Sequence, residues 1–221
     1  MKKIIYNRFD KKLIAKLPVA AFGGRIITVI SPEETRKAVD YLLSFPLLGI
    51  DTETRPSFKK GKQNIVSLLQ VSSEDTCVLF RLNHTGMTEH IVRLLEDTKV
   101  PKVGLSLHDD ILSLQRRKSF TPGNFIDLQH LVKEIGIEDM SLQKLYANLF
   151  QQKISKGQQL SNWEADVLTD KQKSYAATDA WACIMLYKEF LNLKSSGNFS
   201  LEVVEEENPG GNDVKENRQS N

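Results

Sequence analysis

Five side chains in three short segments have the types and spacing to do chemistry together. They are Asp51 and Glu53 in LLGIDTET, Asp110 in KVGLSLHDD, and Tyr175 with Asp179 in SYAATDA. Asp51 and Glu53 close an apolar run two residues apart, so strand alternation puts both carboxylates on one face. Like charges pointing together at the end of a buried segment repel unless a cation sits between them. Oxygen ligands of this kind suit Mg2+ or Mn2+. An Asp-x-Glu pair taken alone is common, and two acids in a solvated loop would read the same way.

Tyr175 and Asp179 stand four positions apart, which on a helix places one above the other. A core tyrosine and an aspartate paired with Lys171 would share that spacing. Ala176, Ala177 and Ala180 favour the functional reading, because small residues let a helix lie close against a sheet. The middle segment offers two neighbouring acids. At about 100° per residue, Leu107, Ile111 and Leu114 define an apolar helical face. Asp110 falls beside that face and Asp109 nearly opposite, so Asp110 is the candidate and Asp109 faces solvent. His108 and His130 form no zinc-ligand spacing with either cysteine.

The elements that must position these residues alternate along the chain. RIITVI (25–30) reads as a strand, followed by a helix in which Ser31 and Glu34 form a capping box and Pro32 takes the first turn. LLGIDT (47–52) is a buried strand bounded by Pro46. NIVSLLQVS (64–72) and TCVLFRL (76–82), joined by a polar turn, read as an antiparallel hairpin. Helix TEHIVRLLED, strand VPKVGLSL, helix HDDILSLQRR and strand FIDL come next. Two helices follow, SLQKLYANLF and the long TDKQKSYAATDAWACIMLYKEFL, the second opened by a Thr169/Gln172 capping box. This pattern predicts the α/β class, with a mixed sheet between helices.

The chain has 221 residues, 40% of them apolar, enough for one domain with a real core. Cys77 and Cys183 lie in apolar segments without paired spacing and read as buried thiols of a reducing compartment. Lys16 and Pro18 interrupt the one apolar stretch near the start, which argues against a signal peptide or membrane span; the cytoplasm is the expected location. Charge is uneven. Residues 1–25 carry seven basic side chains against Asp10, and residues 195–221 carry six acids against Lys215 and Arg218. Residues 1–24 therefore read as a basic arm suited to phosphates, 25–194 as the domain, and 195–221 as a disordered acidic tail.

With those segments in place, the chain resembles the DEDD exonucleases of the DnaQ-like, ribonuclease-H-like superfamily, in the branch with tyrosine in its third motif. Asp51-Thr-Glu53 is similar to the first motif, Val103-Gly104 with Asp110 to the second, and Tyr175-x-x-x-Asp179 to the third. The SNW at 161–163 and the following LTDKQKSYAATDA resemble Werner-type exonuclease and ribonuclease D domains, as does Lys156 seven residues before Trp163. The resemblance covers about residues 25–192 and implies a three-layer ribonuclease-H-like fold. It implies two divalent cations, Mg2+ or Mn2+, the first held by Asp51, Glu53 and Asp179, the second by Asp51 and Asp110. Tyr175 would orient the attacking water, since a phenol of ordinary pKa ~10 is a poor base. The implied activity is stepwise 3′–5′ hydrolysis that releases nucleoside 5′-monophosphates.

Substrate contacts are expected from Arg55, Lys59, Lys60 and Lys62 on phosphates and from Phe58 or Trp163 stacked on a base; Lys156 joins them through the resemblance. The expected partner is a single-stranded 3′ end, DNA or RNA. Two alternatives stay open: an RNA-trimming or short-oligonucleotide ribonuclease with the same chemistry, and a nucleic-acid-binding module without turnover. The 2′-hydroxyl contact that separates RNA from DNA depends on pocket shape, which spacing does not reveal.

Overall fold

The computed structural model describes residues 2–58, 61 and 64–205. Short elements come first: β1 (Lys3–Tyr6), α1 (Lys11–Ile14), β2 (Val19–Ala20), β3 (Arg25–Val29) and α2 (Pro32–Leu42). The middle of the chain forms β4 (Leu48–Thr54), β5 (Val66–Ser72), β6 (Thr76–Arg81), α3 (Leu82–Thr85), α4 (Glu89–Glu96), β7 (Lys102–Gly104), α5 (Leu107–Gln115) and β8 (Phe125–Asp127). The remainder is α6 (Leu128–Lys133), α7 (Leu142–Phe150), β9 (Lys153–Ile154), α8 (Asp170–Ser196) and β10 (Phe199–Glu202). No helix among the described residues is long and apolar enough to cross a membrane.

A six-stranded mixed sheet, order β3-β6-β5-β4-β7-β8, forms the middle layer. The expected β5–β6 hairpin is antiparallel, with Gln70 opposite Leu79. Strand alternation sorts side chains cleanly between two cores. Leu48 and Ile50 of β4, Leu69 and Val71 of β5, and Val78 and Phe80 of β6 pack with α2, α4 and α5. Leu68, Cys77 and Leu79 face the opposite way, against Ala176 and Ala177 of α8. Helices α6 and α7 join α8 in a further cluster on that side.

β4 lies at the centre, antiparallel to β5 and parallel to β7. A cleft lined by Asp51 and Glu53 of β4 and by Leu105 just after β7 opens at their carboxyl ends, the usual ligand position in α/β sheets. The strand extends past the expected end at Thr52 to Thr54, and its register with β5 shifts between Glu53 and Thr54. Such bulges bend a strand and re-aim its side chains. At Gly49, α8 comes so close that a Cβ would lie 2.0 Å from the Ala180 carbonyl oxygen. Glycine here lets the helix carrying Asp179 approach the strand carrying Asp51.

Three expectations are corrected. Ser31 caps α2 without a side-chain hydrogen bond; Glu34 instead accepts from the Ile30 N–H at 3.4 Å, so the capping box is absent. The Thr169/Gln172 box on α8 does form. The basic arm is not a separate arm. β1 pairs in parallel with β10, Lys3 opposite Phe199 and Tyr6 opposite Glu202, and Ile5 is fully buried against the α7–α8 cluster. Charge counting concealed Ile5, Phe9 and Ile14, which turn inward while Lys3 and Arg8 pair with Glu189 and Glu138 on the surface.

The acidic tail likewise begins later than composition suggests, because Phe199 and Leu201 pack on the same cluster. The part of it at 206–221 lies outside the described residues. Truncation after residue 194 removes β10 and uncovers Ile5, so it should lower the melting temperature by several degrees, at roughly 2–4 °C per kcal/mol for a chain this size. An unchanged thermal denaturation curve for the truncated protein would show that this two-stranded closure contributes nothing.

Candidate active site

Each sequence-predicted acid arrives at the crevice by a different route. Asp51 and Glu53 share the α8-facing side of β4 with Gly49, as alternation requires. α8 brings Asp179 over them, one turn beyond Tyr175. One ligand oxygen from each of Asp51, Glu53 and Asp179 lies within 4.8 Å of the others. These three also line a cleft of about 300 Å3 with Tyr175, Lys156 and Gln159.

Asp110 is not one of that trio, but it lies close enough for its charge to act on Asp51 and Glu53. It lies on the α5 side, where the Thr52 hydroxyl, on the opposite face of β4 from its two acidic neighbours, donates to Asp110 Oδ1 at 2.6 Å. Asp109 is exposed and lines a separate hollow with Arg55 and Asn64, as the helical-face argument expects. The turn that aims α5 is strained. Ser106, its N-cap, sits in the left-handed region at φ 61°, a conformation that costs a non-glycine residue about 1–3 kcal/mol. Asp127 holds it there, accepting from the Ser106 N–H at 3.1 Å and the Leu107 N–H at 2.8 Å. Gln129 Nε2 adds a bond to Ser106 Oγ at 2.6 Å.

Burial and crowding disfavour the ionised carboxylates. Burial, then the charges of Asp110, Asp179 and Glu53, raise the Asp51 pKa well above the usual carboxylate range. Burial with Asp179 and Asp110 lifts Glu53 to about 9. Burial takes Asp179 to about 7 despite the Tyr175 hydroxyl and the Lys156 charge, both of which pull it down. Asp110 rises to about 6, with burial outweighing the Thr52 hydrogen bond. Asp179 Oδ1 is buried without a hydrogen-bond partner. Converging acids with an orphaned oxygen among them fit a divalent cation, whose charge would reverse each of these shifts.

Around the acids the predicted substrate contacts divide. Lys156 is exposed on the cleft wall. Arg55 is half-exposed in the neighbouring hollow with Asp109, paired with Glu164 at 3.1 Å. Phe58 is 87% exposed. Lys59, Lys60 and Lys62 lie outside the described residues. Trp163 is corrected: with no exposed surface it cannot stack on a base. Its ring instead backs Tyr175, centroids 6.0 Å apart. The segment carrying it is clamped from below by Arg81, whose guanidinium donates to the Ala165 and Asp166 carbonyls. Exposure is a tertiary property, and an SNW motif on a loop carries no signal for it.

Thr52 and Asp127 were missed by sequence reasoning. Thr52 had one available clue, its place between the two acids, which alternation turns toward α5. Asp127 had none, since its partners lie twenty residues upstream in Ser106–Leu107.

Comparison with known proteins agrees with this geometry. Residues 26–194 match the family model described as 3′-5′ exonuclease. The Mus musculus bifunctional 3′-5′ exonuclease/ATP-dependent helicase WRN is 31% identical over 170 residues, covering 74% of this chain and 12% of its own length. An Arabidopsis thaliana 3′-5′ exonuclease is 29% identical over 206 residues, covering 85% of this chain and 72% of its own. Among solved structures, the Aedes aegypti Nibbler EXO domain superimposes with a TM-score of 0.71 at 20% identity, over 80% of this chain and 91% of that one. The match over residues 26–194, on a mixed six-stranded sheet whose crevice gathers buried acids, makes this chain a member of the 3′-5′ exonuclease family.

Proposed function

We propose that this chain removes nucleotides one at a time from single-stranded 3′ ends, releasing nucleoside 5′-monophosphates, with Asp51, Glu53, Asp110 and Asp179 holding two divalent cations. The observation that carries the reading is the convergence of Asp51, Glu53 and Asp179, with an unpartnered Asp179 oxygen among them. Asp51, Glu53 and Asp179 would hold one cation, and Asp51 with Asp110 would hold a second. When bound, Mg2+ or Mn2+ would supply Lewis acidity at the scissile phosphate, a more acidic water and charge stabilisation at the departing 3′ oxygen.

The protein's own groups do the remaining work. Tyr175 stays protonated, since burial first and the Asp179 and Glu53 charges next push its phenol pKa upward. Its hydroxyl, whose one proton serves Asp179 while no cation is held, would instead donate that proton in a hydrogen bond that orients the attacking water, and it does not take up a proton. Trp163 behind the ring limits the directions that hydroxyl can take. Lys156 meets a non-bridging phosphate oxygen from the cleft wall, and Arg55 meets the next phosphate from the neighbouring hollow. Phe58 offers an exposed face to a base, a stacking contact of ~1–3 kcal/mol that tolerates any sequence. These contacts address phosphate and base, features that DNA and RNA ends share.

The test uses DNA and RNA strands labelled at the 3′ or the 5′ end, with Mn2+, with Mg2+ and with chelator. A 5′ label should give a ladder shortening from the 3′ end, and a 3′ label should appear at once as mononucleotide; chelator should stop both. Metal-independent cutting, or products shortened from the 5′ end, would overturn the reading.

A further inference from the structure

One buried side chain near the acids has no role in the mechanism so far. Gln70, on β5, is completely buried, and neither Oε1 nor Nε2 has a hydrogen-bond partner. A buried amide without partners is costly to keep, and native proteins rarely do so without a reason such as a water, an ion or a functional contact. In the sheet register Gln70 stands directly opposite Asp51. Directly opposed residues of an antiparallel pair project to the same face with Cβ atoms about 4.5–5.5 Å apart. That face is the one toward α8, since Gly49 of the same strand meets Ala180 there.

Other neighbours offer Gln70 little. On its far side it faces Leu79, and Leu68 precedes it on the same face. Ala176 and Ala177 of α8 complete an apolar surround. Asp51 is the ionisable group directly opposite Gln70, while Glu53 and Arg81 stand diagonally from it on the same face and the Arg81 guanidinium is drawn away to the Ala165 and Asp166 carbonyls.

We propose that Gln70 is a positioning residue for Asp51. Its Nε2 donates to the Asp51 carboxylate once cations are bound, fixing which oxygen is turned toward them. This rests on the cation-holding role of Asp51 proposed above. Groups that orient ligands commonly change metal affinity or activity by 10–100-fold when removed. An amide suits the task better than a lysine or arginine. It directs one carboxylate oxygen without adding a positive charge that would compete with the cation.

The discriminating experiment compares wild type with Gln70→Met, an apolar side chain of similar length, and Gln70→Glu, which keeps the shape. Calorimetric titration with Mn2+ alone is the principal readout, beside melting temperature in chelator and the kcat and KM for a single-stranded oligonucleotide. Gln70→Met should weaken Mn2+ binding about 10-fold or more and lower kcat with little change in KM. In chelator it should melt at or above the wild-type temperature, because an unpartnered amide has been replaced by an apolar group. Gln70→Glu, which keeps the shape but offers no amide donor to Asp51, should not restore the wild-type kcat. Wild-type Mn2+ affinity in Gln70→Met, or a chelator-state destabilisation large enough to explain the loss, would overturn the assignment. Failure of wild type itself to bind Mn2+ would instead remove the cation-holding role on which it rests.

Discussion

Asp179→Asn should lower 3′-end hydrolysis by about 1,000-fold or more and, above neutral pH in chelator, should make the protein more stable. The two effects share one cause. Asp179 is buried beside Asp51 and Glu53, with one oxygen unpartnered. In the proposed mechanism that carboxylate would help hold the cations that stabilise the transition state, a contribution of several kcal/mol, and each 1.36 kcal/mol is tenfold in rate. Without cations the same carboxylate is a buried charge crowded by others of its sign. Asparagine keeps the shape and removes the charge, so the folded state gains about 0.5–2 kcal/mol, the size usual when a strained functional site is relaxed.

The gain has a pH window. Asp179 has its pKa pushed up to about 7 by burial, so asparagine should gain little below pH ~4, where the acid is neutral in the folded and unfolded chain alike, and its gain should grow with pH and level off above about 7. Single-turnover rates and paired melting curves check both halves. Retained activity, or a lower melting temperature at pH 8.5 in chelator, would show that Asp179 is an ordinary structural aspartate.

A second large effect concerns the unmodified protein. In chelator its melting temperature should fall by about 5 °C or more between pH 5.5 and 8.5, and saturating Mn2+ should remove most of the fall. The folded-state pKa values of Asp110, Asp179 and Glu53 are raised by burial to about 6, about 7 and about 9. Unfolded carboxylates titrate near ~4, so between these values the folded chain holds more protons than the unfolded one. Stability is therefore fully present below pH ~4 and is lost as pH rises through each folded-state value. The loss reaches ~1.4 kcal/mol per pH unit for each proton difference. A bound cation replaces those protons, so Mn2+ affinity should climb over the same range. A flat melting temperature in chelator would mean that the acids are better solvated than their burial indicates.

Much of this site was legible in the chain. A period of two in IDTET places Asp51 and Glu53 together, and a period near four places Asp179 over Tyr175. The face formed by Leu107, Ile111 and Leu114 separates Asp110 from Asp109, and the structure keeps Asp109 exposed while Thr52 holds Asp110. These are local relations within single elements, where backbone geometry alone decides side-chain direction. The pairing of β5 with β6 was equally readable, since a short polar turn between apolar runs leaves few other arrangements.

Relations between distant elements were not legible. Nothing local says that Lys3–Tyr6 pairs with Phe199–Glu202, because a short parallel pair has no connecting turn to announce it. Composition read both segments as charged ends, yet single apolar residues such as Ile5 determined their packing. Trp163 looked like a stacking platform until burial placed it behind Tyr175. By itself, the sequence determined which acids are available, on which face of its own element each lies, and which family the chain resembles. The tertiary structure alone decided that Asp51, Glu53 and Asp179 meet within 4.8 Å, that Asp110 is held by Thr52, and that Gln70 lies across from Asp51. The physical reason is that local periodicity fixes direction along one element, whereas distance between elements comes from strand register and from close approach at small residues such as Gly49.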